Sequence, residues 1–264
     1  TFNFPSSSEK KRSAIILCGG KGTRLGIIGK KITKTLVKIQ GRPIIWYIIN
    51  ILKKNNFNHF ILPIGYKGSH IKKYFKKNKF FRNLKIEIIN TGTNTSISKR
   101  IFKIKKKVIS DNFVLLNGDA IFDFNIDKIF KSHMRKNIDA TFIGCEAKLP
   151  FGVIAKKNNK IVDFIRDVEF SSVKKKENKN FEGYVYSGIS ILKKNLLKQN
   201  FKNFKNFETS FYPSLIKKKK TDFHQINGFW HSIDNYKDIN NVNSKKNKLK
   251  YNRVAKIISK FIWT

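Results

Sequence analysis

The chain of 264 residues contains little cysteine, with only Cys18 and Cys145. The two form neither a CxxC pair nor a spacing suited to zinc, which excludes a zinc site built on cysteines. Both occur in strand-like apolar runs, so we predict that they are small core residues. This low cysteine usage is typical of proteins in a reducing cytoplasm, where we expect the protein to be located.

Long hydrophobic runs are also missing. No apolar stretch reaches the roughly 18–20 residues that are needed to span a bilayer, so we expect no membrane partner. Residues 1–12 are polar and partly charged, and no apolar signal-peptide core follows them. We therefore interpret 1–12 as an N-terminal extension.

Acidic residues are scarce, with 17 Asp and Glu against 56 Lys and Arg, and the formal net charge is +39. Such a charge favours binding to polyanions, nucleic acid included. The alternative is compositional drift, because Lys, Asn, Ile and Phe, which AT-rich codons favour, are all abundant and the lysines are spread along nearly every polar segment. We favour drift and expect no specific nucleic-acid partner, only weak, salt-sensitive association.

Hydrophobic residues make up 40% of the chain and aromatic residues 13%, which is enough to form a core. The first half alternates short apolar strands with amphipathic helices, a pattern that predicts a mostly parallel sheet covered on both faces. The predicted strands are Ser13–Cys18, His59–Ile64, Leu84–Ile89, Asn112–Leu116 and Ala140–Cys145, and the predicted helices are Pro43–Asn55, Ser69–Lys77, Lys99–Ile109 and Ile126–Arg135. Because ligands bind at the carboxyl ends of such strands, Gly20, Gly65 and Asp119 should face one crevice.

The pattern changes after about Leu149. Apolar runs on both sides of Asn158-Asn159 predict a hairpin, and further segments predict a strand at Gly183–Leu192 and a helix at Phe207–Lys217. We interpret Lys174–Asn180 and His224–Asp234 as loops. The resulting division is a domain over 13–240, with a nucleotide-binding part at about 13–148 and an acceptor-binding part at about 149–240, followed by a basic helical tail over 241–264.

The segment Leu17-Cys18-Gly19-Gly20-Lys21-Gly22-Thr23-Arg24-Leu25 follows the first predicted strand. Three glycines in four positions let the backbone approach a ligand closely, and their N–H groups can line an anion-binding concavity. The segment matches neither the P-loop nor the dinucleotide fingerprint. Glycines alone would also fit an ordinary turn.

Three further residues stand out. Lys34 lies between two threonines, and Asp119 and Asp234 are among the few carboxylates in this chain. A lone Asp after a buried strand is usually a cap, but in a phosphate-lined crevice it becomes a candidate magnesium ligand.

Taken together, these motifs resemble the sugar-nucleotide pyrophosphorylase family, and within it the glucose-1-phosphate cytidylyltransferase branch. The match extends over about Ser13–Asn240. Its pieces, in chain order, are Gly19–Leu25, Lys34, Gly41–Trp46, Gly65–Gly68 with Ile71–Phe75, Thr91-Gly92 with Ser96, Ser98 and Arg100, Gly118-Asp119, Phe151-Gly152, and Gly228–Trp230 through Asp234.

This resemblance implies a three-layer α/β/α Rossmann-like fold of the GT-A type with a predominantly parallel mixed sheet. It implies catalytic roles for Arg24 and Lys34 and a Mg²⁺ ion between Asp119 and Asp234. The nucleotide-binding residues that it implies are Leu17, Gly19, Gly20, Lys21, Gly22, Thr23, Thr91, Gly92, Ser96 and Gly118. The acceptor-binding residues that it implies are Gly152, Arg166, Tyr186 and Trp230.

Some positions depart from the family pattern. Thr33 and Thr35 replace the prolines that usually bracket the lysine, which predicts a less rigid loop. Arg166-Asp167-Val168 stands where the family has Glu-Lys-Pro, and Tyr186-Ser187-Gly188 replaces Asn-Gly-Gly or Asn-Ala-Gly. The acceptor half is therefore less well preserved than the nucleotide half.

The resemblance implies that the protein transfers a nucleoside monophosphate from an NTP, with CTP favoured, to a sugar 1-phosphate or a similar small phosphorylated acceptor. Two alternatives stay open: a catalytically silent regulatory homologue and a basic nucleic-acid-binding protein. The sequence leaves the base, the acceptor and any homo-oligomeric assembly unresolved.

Overall fold

A computed structural model describes residues 11–78, 81, 84–146, 153–157, 160–165, 172–174, 180–182, 184–198, 204, 206–226, 228–245, 247–248 and 251. Its helices are α1 (Gly26–Lys31), α2 (Ile44–Lys54), α3 (Gly68–Lys77), α4 (Ile97–Ile104), α5 (Ile126–Arg135), α6 (Tyr212–Lys218) and α7 (Tyr236–Asn243). Its strands are β1 (Ser13–Leu17), β2 (Lys38–Ile39), β3 (Arg42–Pro43), β4 (His59–Ile64), β5 (Lys85–Asn90), β6 (Asn112–Asn117), β7 (Ala120–Phe122), β8 (Ala140–Cys145), β9 (Val153–Lys157), β10 (Lys160–Ile165), β11 (Ser172–Lys174), β12 (Asn180–Glu182), β13 (Val185–Lys193), β14 (Thr221–Gln225) and β15 (Trp230–Ser232).

A seven-stranded mixed sheet in the order β14-β8-β13-β6-β1-β4-β5 forms the centre of the molecule. Strand β13 runs antiparallel to both of its neighbours, and the other six strands run in one direction. The expected α/β fold with a predominantly parallel sheet is thereby confirmed.

Alternation along the strands divides the core between the two faces of the sheet. In β1, Ala14 and Ile16 pack on the face covered by α2, α3, α5 and α7, whereas Ile15 packs on the face covered by α4 and α6. Because both faces are covered by helices, the central strands are almost continuously apolar. This arrangement gives the three layers that the resemblance implied.

The structure also corrects one expected element. His224–Asp234, predicted to be a loop, contributes the end of the edge strand β14 and all of β15. Of the predicted loop Lys174–Asn180, the two end residues belong to the paired strands β11 and β12, and residues 175–179 lie outside the described residues. These strands are short, and β14 (TDFHQ) is largely polar, so they lack the apolar run that marks a buried strand. The predicted hairpin is present as β9 and β10.

Among the described residues, no helix is long and apolar enough to cross a bilayer. Residues 1–10 and 252–264, which include most of the predicted extension and much of the predicted tail, lie outside the described residues.

His133 of α5 is a buried histidine that connects α5 to two strands. Its Nε2 lies 3.1 Å from Asn112 Oδ1 and its Nδ1 lies 2.8 Å from Thr141 Oγ1. Burial and, after it, the positive charge of Lys193 lower the pKa of this imidazole to about 4, against the opposing effects of Asp139 and Asp222. The ring is therefore neutral in the folded protein at neutral pH.

We expect the free energy of unfolding to fall as the pH drops from about 6.5 towards about 4. Over this range the imidazole of His133 binds a proton in the unfolded state but stays neutral in the folded state. The contribution lost by about pH 4 is about 3 kcal/mol. Urea unfolding of the wild type and His133→Gln over this range measures it. The glutamine can still donate to Asn112 but does not titrate, so its stability should vary less with pH; equal pH dependence would contradict the assignment.

Candidate active site

The glycine-rich loop begins where β1 ends, at the carboxyl edge of the sheet, as predicted. Gly118 N donates to Leu17 O at 3.2 Å, which holds the ends of β1 and β6 together. Gly22 has a φ of +61° and precedes a short 3-10 helix over Thr23–Leu25. This left-handed conformation favours glycine, so the loop can turn back over the strand end.

A buried arginine, Arg100 of α4, lies directly beneath this loop. It is 5% exposed, and its guanidinium donates to the carbonyl oxygens of Gly19 (2.9 Å), Ile64 (3.2 Å) and Thr93 (3.3 Å). It also donates to the hydroxyl of Thr91. All four acceptors are neutral. They belong to three different loops, which one cation therefore holds together at the carboxyl edge.

Arg100 also explains why Gly19 must be a glycine. A Cβ at Gly19 would lie 2.2 Å from Arg100 NH1, and a Cβ at Gly65 would lie 2.5 Å from the carbonyl oxygen of Gly92 and 2.7 Å from Arg100 NH1. The two glycines therefore let the backbone close onto the guanidinium.

These elements enclose a recess of about 600 Å³. Its walls are the glycine-rich loop, Lys34-Thr35, the segment Thr93–Ile97 with Arg100, and Asn117–Asp119. The volume lies within the range of about 300–1,000 Å³ typical of small-molecule sites.

A lysine and two aspartates converge at this recess. Lys34 Nζ lies 2.7 Å from Asp119 Oδ2 and 2.9 Å from Asp234 Oδ1. The exposed Arg24 lies 3.8 Å from Asp234 Oδ1. The two carboxylates, far apart in sequence, are therefore both within contact distance of one ammonium group.

Local structure fixes each member of this cluster. Lys34 begins a 3-10 helix over Lys34–Leu36, where the buried Thr33 and Thr35 approach each other at 3.2 Å between their hydroxyl oxygens. Asp119 follows β6, and its carbonyl oxygen accepts from Ile233 N at 3.0 Å. Because β7 pairs with β15 beside these residues, the turn carrying Asp234 is brought to the end of β6.

Asp234 is held from both sides. Its Oδ2 accepts from Ser232 Oγ at 2.8 Å, and its backbone N–H donates to Asp238 Oδ2 at 2.8 Å. Burial alone would raise the pKa of the Asp234 carboxyl, but hydrogen bonds from Lys34 and Ser232 outweigh burial and lower this pKa below its ordinary value. The carboxylate is therefore ionised at neutral pH.

The buried thiol of Cys18 also lines the recess. Burial raises its pKa to about 12 in spite of a hydrogen bond with Thr35. Since the thiolate is the reactive form of cysteine, this residue acts as a small core side chain, as predicted for both cysteines.

Most of the predicted nucleotide-binding residues lie around the recess. Those that line it are Leu17, Gly19, Gly20, Lys21, Gly22, Ser96 and Gly118. Thr91 is fully buried beneath it, and Gly92 follows with a φ of +98°. Thr23 opens the short helix at the end of the loop.

The predicted acceptor-binding residues are more scattered. The indole of Trp230 donates to Ser187 O at 3.0 Å, next to Gly188 and Asn117. Tyr186 is directed away from the recess, with its hydroxyl 3.0 Å from that of Tyr212. Gly152 and Arg166 lie outside the described residues.

Several residues that line the recess were not predicted as site residues, among them Arg100 and Asn117. Arg100 is one basic residue among 56, but it lies on the apolar face of α4 with Ile97, Ile101 and Ile104. A charged residue on an apolar helical face is unusual, and this position was the available signal. Nothing in the sequence distinguishes Asn117 from other strand ends.

Comparison with known proteins agrees with this geometry. The sequence profile of the family described as "Nucleotidyl transferase" matches residues 13–248. The chain belongs to the nucleotidyl transferase family. This match extends over both halves of the predicted domain, including the segment that carries Asp234.

Two similar proteins differ in the nucleotide that they are named for. A probable glucose-1-phosphate cytidylyltransferase of Bacillus subtilis is 29% identical over 89% of this chain and 96% of its own length. A D-glycero-alpha-D-manno-heptose 1-phosphate guanylyltransferase of Aneurinibacillus thermoaerophilus is 27% identical over 78% of this chain and 86% of its own length. The two relatives therefore differ in the nucleotide that they are named for, which is a cytidylyl group in one and a guanylyl group in the other.

Among solved structures, HddC from Yersinia pseudotuberculosis superposes with a TM-score of 0.66 at 21% identity, over 91% of this chain and 99% of HddC. A likeness at this identity supports the shared fold.

We expect Lys34→Ala and Arg24→Ala each to lower turnover by more than about tenfold, or about 1.4 kcal/mol of transition-state stabilisation. Lys34→Ala leaves two carboxylates facing each other with no ammonium between them. Steady-state kinetics with the accepted NTP and acceptor measures the effect. Lys53→Ala, an exposed residue of α2, is the charge-matched control; an equal loss in all three variants would mean that overall charge, not this cluster, supports activity.

Proposed function

We propose that this protein transfers a nucleoside monophosphate from an NTP, with CTP favoured, to a sugar 1-phosphate and releases pyrophosphate. The observation that carries this proposal is the convergence of Lys34, Asp119 and Asp234 at a recess lined by glycines. The protein would supply activated sugars for glycan precursors. Both cysteines are free and buried, which agrees with a reducing cytoplasmic location.

The glycine-rich loop is suited to the triphosphate. Its backbone can approach phosphate oxygens closely, and Lys21 and Arg24 add two cationic side chains at the same loop. Arg24 is 80% exposed, so its guanidinium is free to turn towards a bound ligand. We assign Arg24, with Lys21, to the β- and γ-phosphates, where negative charge develops as pyrophosphate leaves.

The reaction is a single in-line displacement. A phosphate oxygen of the acceptor attacks the α-phosphorus, a new P–O bond forms, and the bond to the pyrophosphate oxygen breaks. No covalent enzyme intermediate is required, and the inert thiol of Cys18 is consistent with this. Lys34 would neutralise charge at the α-phosphate or the acceptor phosphate, and positioning supplies much of the remaining rate enhancement.

The cluster also fits a Mg²⁺ ion. Oxygens of Asp119 and Asp234 both lie within 2.9 Å of one atom, Lys34 Nζ, so a single cation can contact both. The described residues contain no group of three or more His, Cys, Asp or Glu that could hold a metal. Two carboxylates suffice for Mg²⁺, which usually completes its shell with water and substrate phosphates. When bound, Mg²⁺ would stabilise negative charge on the nucleotide phosphates.

CTP is favoured because of the cytidylyltransferase-like segments Gly65–Gly68 and Ile71–Phe75, and because of the Bacillus subtilis relative. Guanylyltransferase relatives make GTP the competing choice. The base would lie near Thr93–Ile97, which forms a wall of the recess.

A pyrophosphate-release screen of four NTPs against a panel of sugar 1-phosphates tests this function. We expect turnover with one NTP above the other three, CTP first, because one recess of fixed shape recognises the base. Turnover with GTP alone would overturn the choice of base and leave the reaction intact. Turnover with no pair, from folded protein that binds an NTP, would favour the silent homologue.

We further expect Asp119→Asn and Asp234→Asn to keep the fold, lose most turnover, and weaken nucleotide binding more with Mg²⁺ than without it. The reason is electrostatic, because either amide removes one charged oxygen ligand from the cation. Turnover and nucleotide titrations with Mg²⁺ or EDTA measure both effects.

Asp222→Asn is the control for these variants. Asp222 lies on the edge strand β14, where its carboxylate pairs with Lys136 at 2.7 Å. The magnesium assignment would be wrong if both site variants retained full magnesium-dependent turnover.

A further inference from the structure

The amino edge of the sheet, opposite to the nucleotide recess, contains a second recess of about 580 Å³. It forms where the 3-10 extension of α4, the start of β6, the end of β13 and the turn before β8 meet. The polar residues that line it include Lys105, Asn112, Asn137, Lys193, Lys194 and Lys198. Among the described residues that line it, Asp111 is the single carboxylate.

Backbone hydrogen bonds hold these walls together. Lys194 N donates to Asp111 O at 2.7 Å, and Lys193 N donates to Asp139 O at 2.9 Å. Lys193 Nζ also donates to Asn137 O at 3.1 Å and lies 3.5 Å from Asp139 Oδ1. The recess is therefore formed by several elements that hydrogen bonds hold together, and not by a single exposed loop.

Asn112 contributes donors to this recess. Its Oδ1 lies 3.1 Å from His133 Nε2, and the ring's other nitrogen faces the hydroxyl of Thr141. The neutral ring can therefore donate to Asn112 through Nε2 and accept from Thr141 through Nδ1. With its oxygen engaged, Asn112 has both amide N–H groups without a partner among the described residues.

The lysines add positive charge that local carboxylates do not balance. No carboxylate of the described residues lies in ion-pair contact with the half-buried Lys194 or the exposed Lys198, and Lys105 Nζ lies 4.3 Å over the Phe102 ring. Even with Lys193 paired to Asp139, three ammonium groups face one carboxylate, Asp111. Ammonium and amide donors around a concave wall suit an oxyanion.

We propose that this recess is a second anion site, which binds a small phosphorylated compound. The volume fits a sugar phosphate or a nucleotide. A single-stranded nucleic acid would need an open groove with stacking aromatic rings, and none of the described residues that line this recess is aromatic. The two recesses lie at opposite ends of six-residue β6, about 20 Å apart, so both can be occupied at once.

Calorimetric titration with inorganic pyrophosphate in EDTA tests the proposal. We expect two binding events in the wild type. Lys194→Gln/Lys198→Gln should weaken one of them by about tenfold or more, since two charge-assisted contacts are lost. Lys21→Gln/Arg24→Gln should weaken the other, which separates this site from the proposed active site.

Lys76→Gln/Lys77→Gln, a pair of exposed residues on α3, changes the net charge equally and should keep both events. The proposal fails if the wild type shows one event that disappears with Lys21→Gln/Arg24→Gln, if the Lys194/Lys198 variant binds as the wild type does, or if the Lys76/Lys77 control loses as much. Circular dichroism checks folding, and the single change Lys198→Glu at an exposed position replaces the double variant if that one does not fold.

Discussion

The contact of one ammonium group with two carboxylates is the constraint on which the site depends. Asp119 and Asp234 carry like charges, and like charges at this separation repel unless a cation lies between them. Lys34 provides that cation at 2.7 and 2.9 Å. To place these three groups together, the chain must bring the end of β6, the turn after β15 and the loop before β2 to the same edge of the sheet. The parallel pairing of β1 with β6 and the pairing of β7 with β15 do this.

A second cation, Arg100, organises the other wall in a different way. Its guanidinium has four neutral acceptors and holds the ends of β1, β4 and β5 through Gly19, Ile64 and Thr91. Burying a charge is costly unless hydrogen bonds compensate for the loss of water, and the fork of donors matches this ring of oxygens. Gly19 and Gly65 are required because a Cβ at either position would collide with the guanidinium. At Gly19, the glycine-rich motif therefore meets a packing requirement of the buried arginine, apart from any role in ligand binding.

The sequence predicts this molecule best where the physics is local. The β4 strand and the α5 helix agree to the residue with their predicted bounds. A six-residue apolar run is short for a helix and favours a strand, and a 3.6-residue periodicity over ten residues favours a helix. Strand β14 was missed because an edge strand can be polar, and its pairing with β8 is decided by distant residues. Within the site, the sequence motifs predicted the recess, since the glycines of the loop and its cationic residues are contiguous in the sequence. The direction of Tyr186, away from the recess, depends on which side chains face each other across the sheet, and no short-range pattern encodes this.

The distribution of carboxylates would allow so basic a chain to support the metal-dependent reaction that we propose. Several of the 17 acids are paired within the scaffold: Asp127 contacts Arg12 and Lys131, Glu87 contacts His59 and Lys107, and Asp222 contacts Lys136. Asp119 and Asp234 differ because their shared partner, Lys34, is itself a proposed catalytic group. A surplus of positive charge attracts anionic substrates from any direction, but charge spread over the surface does not define one binding position. Two carboxylates held at a fixed point can do so, because they repel the phosphates everywhere except where a cation intervenes. Under the proposed function, the attraction of substrates would therefore be spread over the surface, and their positioning would depend on two aspartates.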